Sequence, residues 1–329
     1  MKKIGLFFGG LSNEAAVSIM SAKNVVQYFN YRRYKLVLIY WRKSDRRFYL
    51  IKNLADLKSG SRQKIAIEDF AKLFDIALLM THGRYGEDGV LQAILASQNI
   101  KYCGCQVLSS ALCMDKAIFK DLIAARGYQQ VKYTYLDFAS HSALEIKKFK
   151  AEIKSKFKLP IYVKPANSGS SVGITAVTRI NKLELAIQEA LKHDSKILIE
   201  EGLVQPQEIE VAIMGNSKLV ISQPGELELA KEFYDYDDKY KRGEAKVVIP
   251  ARLNQSLIKE IRTLAERIYR LMACRGFARV DFFVSRNKIY ISEINTLPGF
   301  TDISMFPKLM MNSGLSYTEL LDEIIELAA

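Results

Sequence analysis

Strand-length apolar runs alternate with stretches of helical period through the first third of the chain. Residues 4–8, 34–41 and 75–81 read as strands, and residues 13–29 and 88–98 as helices. That alternation predicts a parallel sheet with helices packed on it, and such sheets bind ligands in the loops beyond their strands' carboxyl ends. Gly9-Gly10-Leu11-Ser12-Asn13-Glu14 fills the first such loop, and His82-Gly83-Arg84-Tyr85-Gly86-Glu87-Asp88-Gly89 a later one. Beyond residue 114 the pattern changes. Helices over 114–126, 142–157 and 181–192 are interleaved with strands at 131–137, 161–164, 172–177 and 197–200, and the adjacent strand pairs suit an α+β sandwich. A last region opens with strands near Glu208 and carries helices over 255–274 and 317–328. The expected class is α/β followed by α+β, in units over 1–113, 114–203 and 204–329.

The densest chemistry lies between the two last-named helices. Arg279-Val280-Asp281-Phe282-Phe283-Val284 and residues 289–294 are rich in β-branched and aromatic residues, with a turn of Ser285-Arg286-Asn287-Lys288 between them. With a three-residue loop of Arg286-Asn287-Lys288, Ser285 faces Ile289, Asp281 faces Glu293 and Arg279 faces Asn295. Side chains alternate along strands, so these four groups share one face. Two carboxylates and an amide in reach of one another suit a hard cation such as Mg²⁺ held together with phosphates. Arg279 beside them suits charge developing on a phosphoryl or acyl group. A surface hairpin with scattered charge is the plain alternative, and Asn295 with the Pro298-Gly299 turn weighs against it.

Two further stretches point to nucleotide. Lys164-Pro165-Ala166-Asn167-Ser168-Gly169-Ser170-Ser171-Val172-Gly173 joins two apolar strands by a loop whose N–H groups can cradle phosphate oxygens. Read alone, such a stretch is more often simply a flexible loop. Ile197-Leu198-Ile199-Glu200-Glu201-Gly202-Leu203 runs an apolar strand into adjacent acids, with Glu208 and Glu210 beyond. Carboxylates at a buried strand end need donors. Adenine and ribose would supply them, and a solvated turn is the open alternative. Neither a dinucleotide fingerprint nor a Walker A motif is present.

Composition narrows the classes. With 49% apolar and 26% charged residues over 329 positions, the chain reads as an ordinary multi-domain soluble protein. No apolar run is long enough to span a bilayer, and the start, Met1-Lys2-Lys3 before residues 4–8, is too short for a signal peptide. Cys103, Cys105, Cys113 and Cys274 lack zinc spacing, so reduced thiols in a cytoplasm are expected. The net charge of +12 favours anionic partners, but dispersed lysines and arginines without a basic–aromatic motif read as a solvated surface, not a nucleic-acid site.

The Lys164 loop, Glu200, Arg279 with Asp281, and Glu293 with Asn295 together resemble the ATP-grasp superfamily. Within it the chain resembles the D-alanine–D-alanine ligase family. Further marks in family order are the loop over 9–14 with Val17-Ser18, His82-Gly83 with Gly86-Glu87-Asp88-Gly89, Met114-Asp115-Lys116, the segment 233–240, and Asn295-Thr296-Leu297-Pro298-Gly299-Phe300-Thr301. The resemblance implies an ATP-grasp fold preceded by a Rossmann-like parallel-sheet domain. It implies a cytoplasmic homodimer that joins two D-alanines through a D-alanyl phosphate for peptidoglycan precursors, without a nucleic-acid or membrane partner. Lys116, Lys164 and Lys239 would meet ATP, Glu200, Glu201 and Leu203 its adenine, and Glu208 its ribose. Asp281, Glu293 and Asn295 would bind two Mg²⁺ ions, with Mn²⁺ a substitute. Arg279 and the Gly299 N–H would hold the oxyanion. Glu14 and His82 would meet the first D-alanine, and Lys239, Ser304 and Met305 the second. Tyr240, on a lid over 231–242, would close onto Ser170 and through it Glu14. Ala15, Ala16, Asp302 and Met305 depart from the family's common residues and leave D-serine or D-lactate open as the second substrate, though Tyr240 favours an amine. A nucleotide-binding regulator without turnover is the rival of another class.

Overall fold

A computed structural model describes residues 1–228 and 246–328. The expected lid over 231–242, with Lys239 and Tyr240, lies outside the described residues.

Three sheets organise the chain. The first runs β4-β3-β2-β1-β5-β6, built from β1 (Lys2–Gly9), β2 (Tyr34–Arg42), β3 (Arg47–Ile51), β4 (Gln63–Ile65), β5 (Ile76–Leu79) and β6 (Lys101–Tyr102). Its centre is parallel as expected, since β1 pairs with β2 and β5, and β5 with β6. Arg47–Ile51 and Gln63–Ile65, absent from the sequence reading, extend one edge antiparallel. Ile4 to Phe8 are buried without alternation because both faces of the strand are covered. One serine stitches the ligand-side ends of two strands. Ser18, fully buried on the helix Ala15–Tyr28, accepts the Gly9 N–H at 2.8 Å and donates to the Met80 carbonyl at 2.6 Å.

The second sheet runs β7-β10-β8-β9, from β7 (Tyr133–Asp137), β8 (Ile161–Pro165), β9 (Thr175–Val177) and β10 (Lys196–Glu201). Val172 and Gly173, expected in a strand, belong to the turn before Thr175–Val177. The third holds β11 (Gln207–Gly215), β12 (Leu219–Ile221), β13 (Gly225–Glu228), β14 (Lys246–Val248), β15 (Phe277–Ser285) and β16 (Lys288–Asn295), in the order β14-β13-β11-β15-β16 with β12 on β11. Val280, Phe282 and Val284 turn inward onto the helix Gln255–Leu271 with Ile261, Ala265 and Ile268.

The helix Met305–Asn312 escaped the sequence reading, and with the helix Tyr317–Ala328 it returns to the first sheet. Phe306, Leu309, Leu320 and Ile324 share one core with Ile4, Leu6 and Ile76. Asn30 and Arg33 both bond Asp322, at 2.8 and 3.1 Å, fastening that return. The end of the chain therefore packs with its beginning, across the division expected at 204.

Replacing Ser18 by Ala leaves the buried Gly9 N–H without its acceptor and should cost about 1–3 kcal/mol. Urea unfolding checks this, and an unchanged midpoint would show that the stitch carries no stability.

Candidate active site

The hairpin of β15 and β16 sets the frame. Arg279 pairs with Asn295 and Asp281 with Glu293, the register expected from the sequence. It arises by a different route. The turn has two residues, Arg286 and Asn287, both left-handed at φ 50° and 60°, so Ser285 faces Lys288 and not Ile289. Such a turn matches the strands' own twist. A bulge between Asp281 and Phe282 then inserts one residue on the partner strand and restores the pairing beyond it. The two departures cancel. The apolar spacing Ile289, Ile291, Ile294 already carries the phase shift, because Ile291 and Ile294 are both buried although three apart.

On the polar face the charges meet. Arg279 donates through Nε and Nη2 to the two oxygens of Asp281, both at 2.7 Å, and Nε lies 2.8 Å from Glu210 Oε2. Burial would lower the guanidinium's pKa, but Asp281 and Glu210 outweigh it and raise the value. Asn295 Nδ2 donates to Asp281 Oδ2 at 2.9 Å. Glu210 enters this cluster because it stands opposite Asp281 across β11 and β15.

Lys116 joins the cluster to the Ser/Gly loop. Its ammonium donates to the Ser168 carbonyl at 2.7 Å and pairs with Glu293 at 3.2 Å. It opens the helix Lys116–Ala125, whose N-cap Asp115 accepts the Ala117 and Ile118 N–H groups and pairs with Lys196 at 2.6 Å. Within the loop, Ser170 and Ser171 are left-handed at φ 50° and 59°, unusual for residues with a side chain. Asp194 holds its near end by accepting from Asn167 N and Nδ2, both at 2.9 Å.

Glu200 is 5% exposed, and its donors are two lysines of this chain: Lys164, and Lys120 at 2.5 Å. Burial would raise the carboxyl, but Lys120 and Lys164 outweigh it and hold the pKa at about 2. Burial pulls the Lys120 ammonium down against the opposing charge of Glu200, whereas for Lys164 the partner charges prevail and raise it. Lys120 was missed in the sequence, although it lies one helical turn from Lys116 on the same face. Glu201 accepts the Lys158 N–H at 3.1 Å, and Leu203 is partly exposed just beyond β10. Glu208, in β11, sits between Leu227 and Phe283.

A third group forms where the first sheet's loops arrive. Glu14, buried, accepts from the Ser170 hydroxyl. A Cβ on Gly83 would stand 2.3 Å from Glu14 Oε2, so only glycine lets the two loops close. Glu87 accepts the Gly83 N–H at 3.2 Å, and burial with the nearby charge of Glu14 pushes its carboxyl up to about 7. His82 has both ring nitrogens engaged, Nε2 with Ser21 Oγ and Nδ1 with the Leu297 carbonyl, each at 3.1 Å. Ser304 Oγ accepts the Thr301 N–H at 3.0 Å and would crowd any Cβ on Gly299 at 2.7 Å. Met305 is 5% exposed and packs with Phe306 and Leu309. Asp281, Glu293 and Asn295 offer oxygen donors from one hairpin end, a set that fits Mg²⁺.

Comparison with known proteins places this arrangement. The family model described as D-ala D-ala ligase C-terminus matches residues 122–326, and the one for the N-terminus of the same ligases matches residues 3–105. A D-alanine–D-alanine ligase of Caldicellulosiruptor bescii is 41% identical over 99% of this chain and 94% of its own. The D-Ala:D-Ser ligase VanG of Enterococcus faecalis superposes with a TM-score of 0.88 at 31% identity, covering 100% of this chain and 99% of its own. A D-alanine–D-alanine ligase of Bacillus anthracis complexed with ATP does so at 0.77 and 27% identity, covering 100% and 97%.

The Glu200 pair sets an acid limit. Its folded pKa of about 2 lies below an unfolded value near 4.3, so its contribution is present above the latter and lost as pH falls toward about 2. Linkage puts that contribution at about 3 kcal/mol. Glu200→Gln should flatten the acid limb of stability between pH ~4.5 and ~2 in urea titrations. An unaltered limb would show that Glu200 does not set it.

Proposed function

The chain belongs to the D-alanine–D-alanine ligase family, and from that premise we propose that it joins two D-alanines with conversion of ATP to ADP and phosphate. The observation that carries this reading is the meeting of Lys116, bonded to the Ser/Gly loop, with the Arg279, Asp281 and Glu293 end of one hairpin. Positive charge for phosphates and oxygen donors for a metal thus line one site.

The reading assigns a residue to each step. The γ-phosphoryl group passes to a carboxylate oxygen of the first D-alanine, leaving ADP and an acyl phosphate. Lys116 and Lys164 supply fixed charge for the phosphates, with Lys239 joining them at closure. Glu201 and Leu203 border the adenine and Glu208 the ribose. Glu200 borders the adenine with them, and its ion pairs with Lys164 and Lys120 hold those lysines for the pocket. Glu14, kept in reach of Ser170, receives the ammonium of the first substrate. The amine of the second D-alanine then attacks the acyl carbon. The new C–N bond forms, the carbonyl oxygen takes the negative charge, and Arg279 with the Gly299 N–H stabilises it. The oxyanion's electrons then re-form the carbonyl, the acyl C–O bond breaks with its electron pair going to phosphate, and the proton on the former amine passes to the departing phosphate. Mg²⁺ held by Asp281, Glu293 and Asn295 would neutralise phosphate charge when bound. Lys239 and Ser304 receive the second carboxylate, and Tyr240 closes the lid onto Ser170, which keeps water from the acyl phosphate.

The reading carries a cytoplasmic homodimer serving peptidoglycan precursor synthesis. Among the described residues no helix is long and apolar enough to cross a membrane. The likeness to a D-Ala:D-Ser ligase favours D-serine as the second reading.

Incubation with ATP, Mg²⁺ and D-alanine, alone or with D-serine or D-lactate, should yield D-alanyl-D-alanine with one phosphate per dipeptide by mass spectrometry. A mixed product moves the specificity, and no product from folded, ATP-binding protein removes the ligase reading. Glu293→Gln should lower kcat by about 10²–10³ with the thermal midpoint retained. Wild-type turnover in that variant would take Glu293 out of the metal site.

A further inference from the structure

The Leu297-Pro298-Gly299-Phe300 loop is gripped at both ends by one buried pair. The Phe300 N–H donates to Ser21 Oγ at 3.2 Å, and His82 Nδ1 lies 3.1 Å from the Leu297 carbonyl. A carbonyl only accepts, so Nδ1 carries the ring proton. Burial lowers the His82 pKa and keeps the ring neutral, which leaves Nε2 an acceptor. Ser21 Oγ, 3.1 Å from Nε2, is its donor. The directions agree around the circuit: Phe300 N–H to Ser21, Ser21 O–H to His82, His82 N–H to the Leu297 carbonyl. Ser21 is fully buried and His82 is 4% exposed, so water does not compete for these bonds. The Phe300 carbonyl is tied as well, accepting from Tyr317 Oη at 2.5 Å and Asn24 Nδ2 at 3.3 Å.

We propose that Ser21 and His82 act as positioning residues that clamp this loop and thereby aim the Gly299 N–H at the developing oxyanion. The assignment rests on the ligase reading above and gives His82 a task other than contact with the first substrate. Its two nitrogens are already committed, and the residue between its two targets is the glycine that would donate to the transition state. The clamp also explains a fully buried serine on the inward face of the helix Ala15–Tyr28, where an alanine would serve packing equally well. It ties the first sheet's helix and loop to the turn that follows the hairpin.

Ser21→Ala removes the acceptor for Phe300 and the donor for His82 while keeping the helix. We expect kcat to fall about tenfold or more, short of the 10²–10³ seen when an oxyanion donor is deleted. Affinity for a phosphinate dipeptide analogue, whose tetrahedral phosphorus bears an oxygen at the oxyanion position, should fall by the same factor. The KM for ATP should hold, and the thermal midpoint should fall modestly because the buried Phe300 N–H loses its acceptor. His82→Asn keeps a donor at the Nδ1 position and loses Nε2, so it should fall between wild type and Ser21→Ala. Wild-type kcat and analogue affinity in Ser21→Ala would overturn the clamp. So would an equal loss of ATP affinity, which marks general damage to the site. Failure of the ligase reading shows separately, as absence of dipeptide from the wild-type enzyme, and the analogue-binding arm needs no turnover.

Discussion

Charge buried without water has to be matched by charge, and that constraint shapes the cleft. Arg279 lies between Asp281 and Glu210, Lys116 reaches Glu293, and Lys164 with Lys120 encloses Glu200. Each ion is costly to bury alone, and removing one member of a deeply buried pair such as Lys120–Glu200 typically costs about 3–5 kcal/mol, whereas Glu293 is partly exposed and costs less to neutralise. The pairs therefore define which side chains can stand together and in what register. A site that must bind phosphates needs cations in place beforehand, and their carboxylate partners keep those cations ionised.

The pairs come from the second and third sheets and the helix Lys116–Ala125, and the first sheet adds the Glu14 and His82 loops, so the cleft exists only when the three sheets are seated against one another. The core arrangement does the seating. Leu320 and Ile324 near the chain's end share apolar contacts with Ile4 and Leu6 near its start, which fixes the third sheet's following segments against the first. The loops carrying Glu14 and His82 thereby reach the Ser170 loop and the Leu297–Phe300 turn. Close approach there depends on glycines: Gly83 and Gly169 both lie where a Cβ would crowd the Glu14 carboxylate.

Much of this was legible in the residues. The apolar runs located the three central strands of the parallel sheet though not Lys101–Tyr102, and the Arg279, Asp281, Glu293 and Asn295 spacing put four polar groups on one face. The turn length was misjudged, because two left-handed residues at Arg286 and Asn287 leave no periodic trace. The bulge that compensates did leave one, in the Ile291 to Ile294 spacing. The helix Met305–Asn312 was passed over because its residues adjoin the polar turn and lack a long amphipathic period.

By itself the sequence determined the class of fold, the order of its parts, and the presence of a phosphate-and-carboxylate chemistry, since these follow from local periodicity and residue type. Tertiary structure decided the partners. That Glu200 holds Lys120 and Lys164, that Met305 packs in the core, and that His82 bonds Ser21 and the Leu297 carbonyl depend on contacts between residues tens to hundreds of positions apart. No local pattern encodes those distances, because they are settled by how three sheets pack and by which buried charge or hydrogen-bonding group each side chain meets.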